Sequence, residues 1–334
     1  SWDLSKSGAA IGYDYEVRSS GAPGSGSTGL IQSGTTTGTT INVTGLAIGS
    51  VYYVYVRTKC GSGNGSWSSI PLKFNTLCDV IIGNFFEGFE NTRIGSSAYN
   101  TYPVCWSYVD EVSGTNGYGF VNLTSKRSGE KGFYVYRSST TTANGDLLLI
   151  SPETVNLGNG TKRLRFWAKV ESTSYSPKFE IYTMDGITAS AQKTLLKTIN
   201  LTTTFTEYVV YFPHNTTDDY FAFSFDRNGT TVYQYLDDIY YEDAPNCKPL
   251  DVSDVVLSNI DKNKFNLSWQ DIYNINPVAY EIEVRISGNP GTAGAVFNTT
   301  TAVGAINAMV TGLTPSTSYK VYVRAVCSAT EHSA

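Results

Sequence analysis

Residues 319–325 read Tyr-Lys-Val-Tyr-Val-Arg-Ala, and this stretch decides the fold of the last part of the chain. Apolar and polar residues alternate along it with a period of two. Such a period is the signature of a β-strand with one buried face. The residues on the apolar face are Tyr319, Val321, Val323 and Ala325.

The same pattern occurs at residues 52–58, Tyr-Tyr-Val-Tyr-Val-Arg-Thr, 267 residues earlier. One register holds without a gap from Trp2 to Cys60, which chance does not produce. The sequence therefore predicts a small domain that recurs on both sides of a larger middle domain. Further pairs in this register are Trp2 with Trp269, Tyr13 with Tyr280, residues 16–18 with 283–285, residues 44–46 with 311–313, and Cys60 with Cys327.

The two copies start and stop at different points. The first copy begins at Trp2, whereas the second has more than twenty residues before Trp269. The second copy stops at Ala334, whereas the first continues past Phe74. We expect a window from a longer tandem array; a truncated two-copy protein is the alternative.

The composition is typical of a secreted all-β chain. The 334 residues include 24 Tyr, 15 Phe and 31 Gly, which suits twisted sheets joined by tight turns. The net charge of -5 argues against nucleic acid or an anionic membrane as the main partner. No apolar run approaches the roughly 18–20 residues that a membrane span needs. The two histidines, His214 and His332, exclude His-rich metal sites and most His-based catalysis.

The small domain resembles the fibronectin type III family. The resemblance rests on a lone Trp269, followed by residues 312–319, Gly-Leu-Thr-Pro-Ser-Thr-Ser-Tyr, just before the alternating strand. It implies that Leu313 plugs the core and that Tyr319 closes a corner between strands. Such domains are spacers in most proteins and bind partners in some. The matching positions in the first copy are Trp2, Tyr13, Leu46 and Tyr52.

The middle of the chain, residues 79–244, reads as many short strands separated by turn signals. Residues 163–170 place Leu164, Phe166 and Ala168 on one face. Asp185-Gly186 and Asn228-Gly229 are typical of hairpin turns. About 165 residues of this kind favour a two-sheet jelly roll.

Four motifs mark the ends of this middle region: Cys78-Asp79, residues 85–90 (Phe-Phe-Glu-Gly-Phe-Glu), residues 103–106 (Pro-Val-Cys-Trp) and residues 235–239 (Tyr-Leu-Asp-Asp-Ile). They are similar to motifs of the MAM family and of the cleaved-adhesin domains of bacterial surface proteins secreted by the type IX route. One departure is that only Asp110-Glu111 follows the tryptophan where many cleaved-adhesin domains have an Asp-rich run, which puts a second calcium site in doubt.

Four acidic residues at these ends, Glu87, Glu90, Asp237 and Asp238, are the candidate metal ligands. On a regular strand Glu87 would point inward with Phe85 and Phe89. Asp237 and Asp238, being adjacent, would point to opposite faces, one of them inward. Buried carboxylates are costly unless paired or bound to a cation, and hard oxygen ligands suit Ca²⁺. We therefore expect one structural Ca²⁺ held by Glu87 or Glu90 with Asp237 or Asp238 and completed by backbone carbonyls. The alternative is that these carboxylates pair with Arg or Lys or face solvent.

Five cysteines in such a composition suggest two disulfides and one remaining thiol. The MAM resemblance implies a bridge between Cys78 and Cys105, and the type III resemblance makes Cys247 with Cys327 feasible at one pole of that domain. The repeat places the partner of Cys60 outside this chain. Pairing Cys60 with Cys78 would join opposite poles and is rejected.

No catalytic motif is recognisable: the sequence has no nucleophile elbow, no phosphate-binding glycine loop, no zinc spacing and no carboxylate strand of a jelly-roll glycosidase. Aromatic side chains could form a sugar platform, but packing against a neighbouring loop or domain is the favoured explanation for each of them, so no ligand site is assigned. These are Trp167, which faces away from the apolar residues of its strand, and Tyr99, Tyr102, Tyr118 and Tyr175 in predicted loops.

Together these features predict an all-β chain with a MAM-like, cleaved-adhesin jelly roll (78–245) flanked by truncated fibronectin type III domains (1–77 and 246–334). The resemblances imply a non-enzymatic, extracellular repeat segment of a large bacterial surface adhesin, acting in attachment and in gliding motility. Expected partners are glycans or host macromolecules and neighbouring repeats of the same chain. The first alternative is a carbohydrate-binding accessory region of a secreted glycoside hydrolase or protease. The second, a eukaryotic MAM and type III ectodomain, is disfavoured because a second cysteine pair is missing.

Overall fold

The computed structural model describes residues 1–6, 10–112, 116–139, 145–155, 157–172, 178–214, 216–226 and 231–334. Their regular secondary structure is almost entirely β-strand, as the sequence predicts. Two compact units are present, Ser1–Val80 and Ile81–Ala334. In the described part of the chain no helix is both long and apolar enough to cross a membrane.

The first unit is a five-stranded antiparallel sheet. Its central strand β3 pairs with β1 on one side and with β4 and β5 on the other, while β2 pairs with β1. Val17 and Tyr52 are buried on its inner face. The strands are β1 (Ala10–Arg18), β2 (Leu30–Thr36), β3 (Val51–Cys60), β4 (Gly63–Asn64) and β5 (Leu72–Asn75).

The second unit begins with a sandwich of two sheets, in strand order β13-β12-β15-β10-β7 and β14-β11-β16-β9-β8, with β6 also paired to β16. Aromatic and aliphatic side chains of the two inner faces, such as Phe166 and Phe223, form one buried core. The strands are β6 (Phe85–Glu87), β7 (Ser107–Asp110), β8 (Gly117–Asn122), β9 (Gly132–Arg137), β10 (Leu147–Ile150), β11 (Lys162–Val170), β12 (Lys178–Met184), β13 (Lys193–Ile199), β14 (Thr206–Tyr211), β15 (Tyr220–Asp226) and β16 (Val232–Asp243).

A smaller sandwich follows, made of two three-stranded sheets in the orders β17-β18-β21 and β20-β19-β22. Trp269 and Tyr280 are buried between them, and Tyr319, Val321 and Val323 pack on the same core. The predicted alternating strand is therefore confirmed. A 3-10 helix at Val252–Asp254 precedes the strands β17 (Val255–Ser258), β18 (Phe265–Trp269), β19 (Ala279–Arg285), β20 (Phe297–Thr300), β21 (Asn307–Val310) and β22 (Lys320–Val326).

Equivalent hydrogen bonds occur in both copies of the small domain. The Tyr52 hydroxyl accepts the Ala47 N–H at 2.8 Å, and the Tyr319 hydroxyl accepts the Thr314 N–H at 2.8 Å. Trp2 donates its backbone N–H to Thr39 at 2.9 Å, as Trp269 does to Ile306 at 3.0 Å. Each pair is related by the predicted 267-residue offset.

In each copy of the small domain a buried arginine holds one loop in place: Arg18 holds the loop after β1, and Arg285 holds the loop after β19. In the sequence these two arginines served only to align the repeat. Arg18 is fully buried and Arg285 is 1% exposed. The Arg285 guanidinium donates to the carbonyls of Thr292 and Ala293, at 2.8 and 2.6 Å, and pairs with Glu283. Arg18 makes the corresponding contacts with its own loop and with Glu16. We call this arrangement the arginine latch.

The two predicted hairpin turns have different outcomes. Asp185-Gly186 does join the adjacent strands β12 and β13, but through the longer loop 185–192. Asn228-Gly229 lies outside the described residues. The hairpin predicted there is wrong, because β15 and β16 belong to different sheets of the sandwich.

Candidate functional site

The four predicted acidic ligands lie where the two ends of the middle domain meet. Short strand β6 pairs with the second half of β16, so that Glu87 lies opposite Ile239. The first half of β16 pairs with β9. The long strand β16 therefore brings Asp237 and Asp238 beside the segment that carries Glu87 and Glu90.

A β-bulge determines where the two aspartates point. The register of β11 on β16 shifts between Arg165 and Trp167, and Asp238 has a positive φ of 49°. A bulge leaves two residues opposite one and breaks the alternation of faces. Asp237 and Asp238 are consequently 0% and 2% exposed and contact the same loop. The expectation that they point to opposite faces is therefore wrong.

The loop between β8 and β9 supplies hydrogen-bond donors to both aspartates. Asp237 Oδ2 accepts the backbone N–H groups of Arg127 and Ser128, at 2.7 and 3.1 Å. Asp238 accepts the Arg127 guanidinium at 2.9 Å and the Ser128 hydroxyl at 2.8 Å. The loop is thus fixed to the bulge by charged hydrogen bonds, which are stronger than neutral ones.

The two glutamates have different hydrogen-bond partners. Strand β6 ends at Glu87, whose Oε1 accepts the Phe89 N–H at 2.5 Å. Phe89 has a positive φ of 62°, so the regular strand expected through Phe89 is wrong. Glu90 Oε1 accepts the backbone N–H groups of Glu130 and Lys131, at 2.8 and 3.1 Å.

Gly129 makes the approach of this loop to Glu90 possible. Its φ is +60°, and a β-carbon built there would lie 2.1 Å from Glu90 Oε1. Any side chain would therefore force the carboxylate away. The loop residues 125–131 and the four carboxylates together form what we call the acidic cluster.

The electrostatics of the acidic cluster disfavour its full ionisation. Burial raises the pKa of Asp237 to about 6, and Asp238 adds to the rise through charge repulsion. Burial likewise raises the pKa of Glu87 to about 6, with further contributions from Asp237 and Glu90. Arg127 offsets part of this charge through Asp238. Carboxylate oxygens are the hard ligands that Ca²⁺ prefers, and two of these carboxylates, Glu87 and Asp237, are costly to ionise without a cation.

Across the described ranges, no three or more Asp, Glu, His or Cys side chains lie close enough together to bind a metal ion. Charge repulsion links Glu87 to Asp237 and Glu90, and Asp237 to Asp238, but the four carboxylates do not form a complete ligand set by themselves. A cation at the acidic cluster would need backbone carbonyl oxygens in addition to one or two carboxylates.

The aromatic residues singled out from the sequence have separate positions. Trp167 faces outward from β11, as predicted, with the Arg127 guanidinium 4.2 Å from its ring centre. Tyr99 and Tyr102 are 47% and 42% exposed. Tyr118 lies on strand β8, so its assignment to a loop is wrong. Tyr175 lies outside the described residues.

Sequence reasoning missed an array of outward-facing aromatic rings on strands β8, β9 and β16. In this array Tyr136 lies between Tyr118 and Tyr233 in the register, and Tyr134 lies between Phe120 and Tyr235. Alternate aromatic residues along each of the three strands were the available signal. We call these six residues the aromatic array.

The small C-terminal sandwich is joined to the middle domain by a compact linkage. A disulfide connects Cys247, before β17, with Cys327, directly after β22, with Cα atoms 5.6 Å apart. Lys197 of β13 pairs with Asp251 at 2.5 Å. Tyr211 of β14 packs against Tyr273, with ring centres 5.9 Å apart and the ring planes tilted by 55°.

The other cysteines differ in status. Cys60 is a free thiol in the first unit. The bridge between Cys78 and Cys105 stays a prediction, as do the domain boundaries 1–77, 78–245 and 246–334.

Comparison with solved structures found partial similarities in this chain. The K2 cleaved adhesin domain of Lys-gingipain is 17% identical, with a TM-score of 0.37 over 48% of this chain and 99% of that domain. The K1 domain of Lys-gingipain from Porphyromonas gingivalis is 20% identical, with the same TM-score and coverage. The tandem CBM22 domain of Xyn10C from Paenibacillus barcinonensis is 12% identical, with a TM-score of 0.32 over 72% of this chain and 88% of that one.

Comparison with sequences and family profiles identifies only the last part of the chain. No curated protein matches the chain. The profile of the fibronectin type III domain matches residues 250–334, which form the small C-terminal sandwich. The end of this chain, residues 250–334, is therefore a fibronectin type III domain, as its sequence pattern predicts.

Proposed function

We propose that this chain is a non-enzymatic repeat segment of a large bacterial cell-surface adhesin. In this proposal the type III domains are spacers, and the middle domain is a jelly roll that contacts surface or host macromolecules, glycans among them. The observation that carries the proposal is a recurrence in the structure. The arginine latch and the hydroxyl hydrogen bond of Tyr52 and Tyr319 occur at one offset, on both sides of one middle domain in the sequence. Repeats of this kind are typical of long extracellular arrays.

Calcium is part of this proposal. Glu87 or Glu90, with Asp237 or Asp238, would bind one Ca²⁺ together with backbone carbonyls. The raised pKa values of Glu87 and Asp237 support it, because a cation would offset the cost of ionising them. When bound, the ion would supply positive charge at the junction of the two ends of the middle domain. The ion pair between Asp238 and Arg127 supports in part the alternative, in which these carboxylates pair with Arg or Lys instead of binding a metal ion.

The linkage after the middle domain also supports a load-bearing segment. The Cys247–Cys327 disulfide, the Lys197–Asp251 ion pair and the packing of Tyr273 restrain the connection to the type III domain. A restrained connection transmits force along a stalk better than a flexible one.

The aromatic array favours a second candidate function, a carbohydrate-binding accessory region of a secreted glycoside hydrolase or protease. Rings that face solvent on a sheet can stack on sugars in either setting. The two candidates differ in what the rest of the chain would carry. More copies of the repeat would favour the adhesin, and a catalytic domain would favour the accessory region.

A retention assay under flow tests the proposal. Beads coated with the chain are passed over a host-cell layer in calcium and in chelator, beside beads coated with heat-unfolded chain. We expect retention by the folded chain that weakens in chelator. Retention equal to that of the unfolded control in both buffers would refute an adhesive role.

Cell-surface location, secretion by the type IX route and a role in gliding stay proposals and have their own test. An antibody against this chain should label intact producing cells, and disruption of type IX secretion should abolish the label. Labelling of permeabilised cells alone would contradict a surface location. Deletion of the gene should reduce spreading on agar if the protein acts in gliding.

A further inference from the structure

We propose that the aromatic array is a glycan-binding face for an uncharged oligosaccharide of pyranose rings. The inference rests on the proposed function in one respect, that the middle domain contacts ligands outside the cell. It goes further by naming the surface and the chemical class of the ligand.

The array consists of two rows that cross three neighbouring strands. In one row, the ring centre of Tyr136 lies 4.9 Å from that of Tyr118 and 5.3 Å from that of Tyr233. In the other row, Tyr134 lies 5.3 Å from Phe120 and 5.5 Å from Tyr235. The rings therefore form a continuous surface rather than isolated contacts.

Burial along the strands shows that these rings are not part of the core. Strand β8 alternates between buried and half-buried residues, with Tyr118 and Phe120 in the half-buried set. Tyr134 and Tyr136 on β9 follow the same rule, while Phe133 and Val135 on the opposite face are completely buried. The solvent face of such a sheet normally carries polar residues, so a contiguous aromatic surface there indicates an interaction site.

The chemistry of the array selects a sugar. Five of the six rings are tyrosines, which combine an apolar ring with a hydroxyl that can donate and accept hydrogen bonds. Burial raises the pKa of Tyr118 and Tyr134, so these hydroxyls stay protonated at neutral pH. A pyranose ring offers the complement, a C–H face for stacking and hydroxyls at its rim.

The charge of the array matches an uncharged ligand. The array itself contains no acidic or basic side chain. Among the described residues, the cation that stacks on it is Lys169, whose Nζ lies 4.6 Å from the ring centre of Tyr235, at the β11 border of the array. An anionic polymer would need cations along its whole length, whereas here the cation is at one end.

The dimensions suit a short oligosaccharide. Each row crosses three strands, and two strand spacings of about 4.8 Å give a length of about 10 Å. Residues two apart on a strand put the rows about 6.8 Å apart. Two or three sugar rings would cover one row, and the second row would contact their rims or a branch.

Binding to a glycan array, followed by titration of the best ligand, tests the inference. The variants are Tyr134→Ala, which removes the ring at the centre of one row, and Tyr134→Phe, which removes only the hydroxyl. Tyr240→Ala is the matched control, because Tyr240 faces outward from β16 but lies outside the array. Melting temperatures confirm that each variant is folded.

We expect an uncharged oligosaccharide to bind the unaltered chain, and Tyr134→Ala to weaken it at least tenfold. Tyr134→Phe should weaken it less than fivefold, and Tyr240→Ala less than twofold. Silence of the folded chain on the array would overturn the inference, as would an equal effect of Tyr134→Ala and Tyr240→Ala.

The same variants separate this inference from the proposed function. If the folded chain is silent on the glycan array and beads carrying Tyr134→Ala are retained under flow as well as unaltered beads, adhesion stands and the glycan face is refuted. Concentration-dependent dimerisation that Tyr134→Ala abolishes, without any glycan binding, would also refute it, since the array would then be a contact between copies of the chain.

Discussion

Replacing Arg285 with methionine should destabilise the C-terminal type III domain far more than any exposed arginine would. The guanidinium contacts the carbonyls of Ser287, Thr292 and Ala293 at 3.1, 2.8 and 2.6 Å, and the Arg285 side chain is 2% exposed. Methionine keeps most of the apolar stem but supplies no donor.

The expected loss of unfolding free energy depends on the carbonyl groups that the substitution leaves without a donor. A buried acceptor that loses its donor costs about 1–3 kcal/mol, and Arg285 holds three carbonyls. Loop residues 286–294 are mostly exposed, so their freed carbonyls can take up water. We therefore expect the lower end, about 3 kcal/mol in total, which is a large part of a domain stability of about 5–15 kcal/mol. The Arg324→Met control removes an exposed pair with Glu281 and should cost less than about 1 kcal/mol.

Two measurements on the whole chain check this prediction. Denaturant unfolding gives the loss of stability for Arg285→Met and for Arg324→Met. Hydrogen exchange gives the local effect, because the Gly291 N–H donates to Glu283 at 2.8 Å and should lose protection only in Arg285→Met. If both variants unfold within about 0.5 kcal/mol of each other and Gly291 keeps its protection, the arginine latch is not a stabilising element.

Three further predictions follow from the same contacts. Arg18→Met should release the loop after β1 in the first unit, seen as faster hydrogen exchange there and unchanged exchange in residues 286–294; equal exchange in both loops would contradict it. Because the pKa of Glu87 is raised in the folded chain, its protonated form stabilises the fold below about pH 4 in chelator, and this stabilisation is lost as the pH rises through about 6. Glu87→Gln should therefore have a free energy of unfolding about 2 kcal/mol above that of the unaltered chain at pH 7.5, and an equal one at pH 4. Glu207→Gln is the exposed control, and parallel pH curves for both variants would exclude the effect. Lys197→Met removes the ion pair with Asp251 and should increase proteolysis in the segment 244–251 several-fold with little change in melting temperature; unchanged cleavage would show that this ion pair does not restrain the linkage.

The fold class could be predicted because it depends on short-range periodicity. The alternation in residues 319–325 and in β11 directly reflects one buried and one outward face. The sheet to which a strand belongs depends on contacts far apart in sequence. The turn signal at Asn228-Gly229 therefore predicted a hairpin, although β15 and β16 belong to opposite sheets.

The candidate site was predicted in its composition but not in its geometry. Acidic residues at both ends of the middle domain indicated that Glu87 or Glu90 would meet Asp237 or Asp238, and in the structure Asp237 contributes to the raised pKa of Glu87. The bulge at Asp238 and the positive φ of Phe89 have no signal in the local pattern, because the bulge depends on pairing with β11 and phenylalanine rarely has a positive φ.

Buried polar groups and the aromatic array were missed for a related reason. Arg285 follows Val284 in a regular strand, and only the loop 286–296 folding over it makes it buried. Tyr134 and Tyr136 become an array only when β9 is placed between β8 and β16. Strand order and loop conformation, rather than residue type, create both features.

Calorimetric unfolding of the chain at pH 7.5, in calcium and in chelator, tests the calcium-stabilised middle domain most directly. Calcium that binds only the folded state raises the melting temperature with concentration, and titration should give one site per middle domain. Asp237→Asn should reduce this rise, while Glu207→Gln should keep it. An identical melting temperature in calcium and chelator would contradict a calcium site at the acidic cluster and leave Arg127 as its counter-charge.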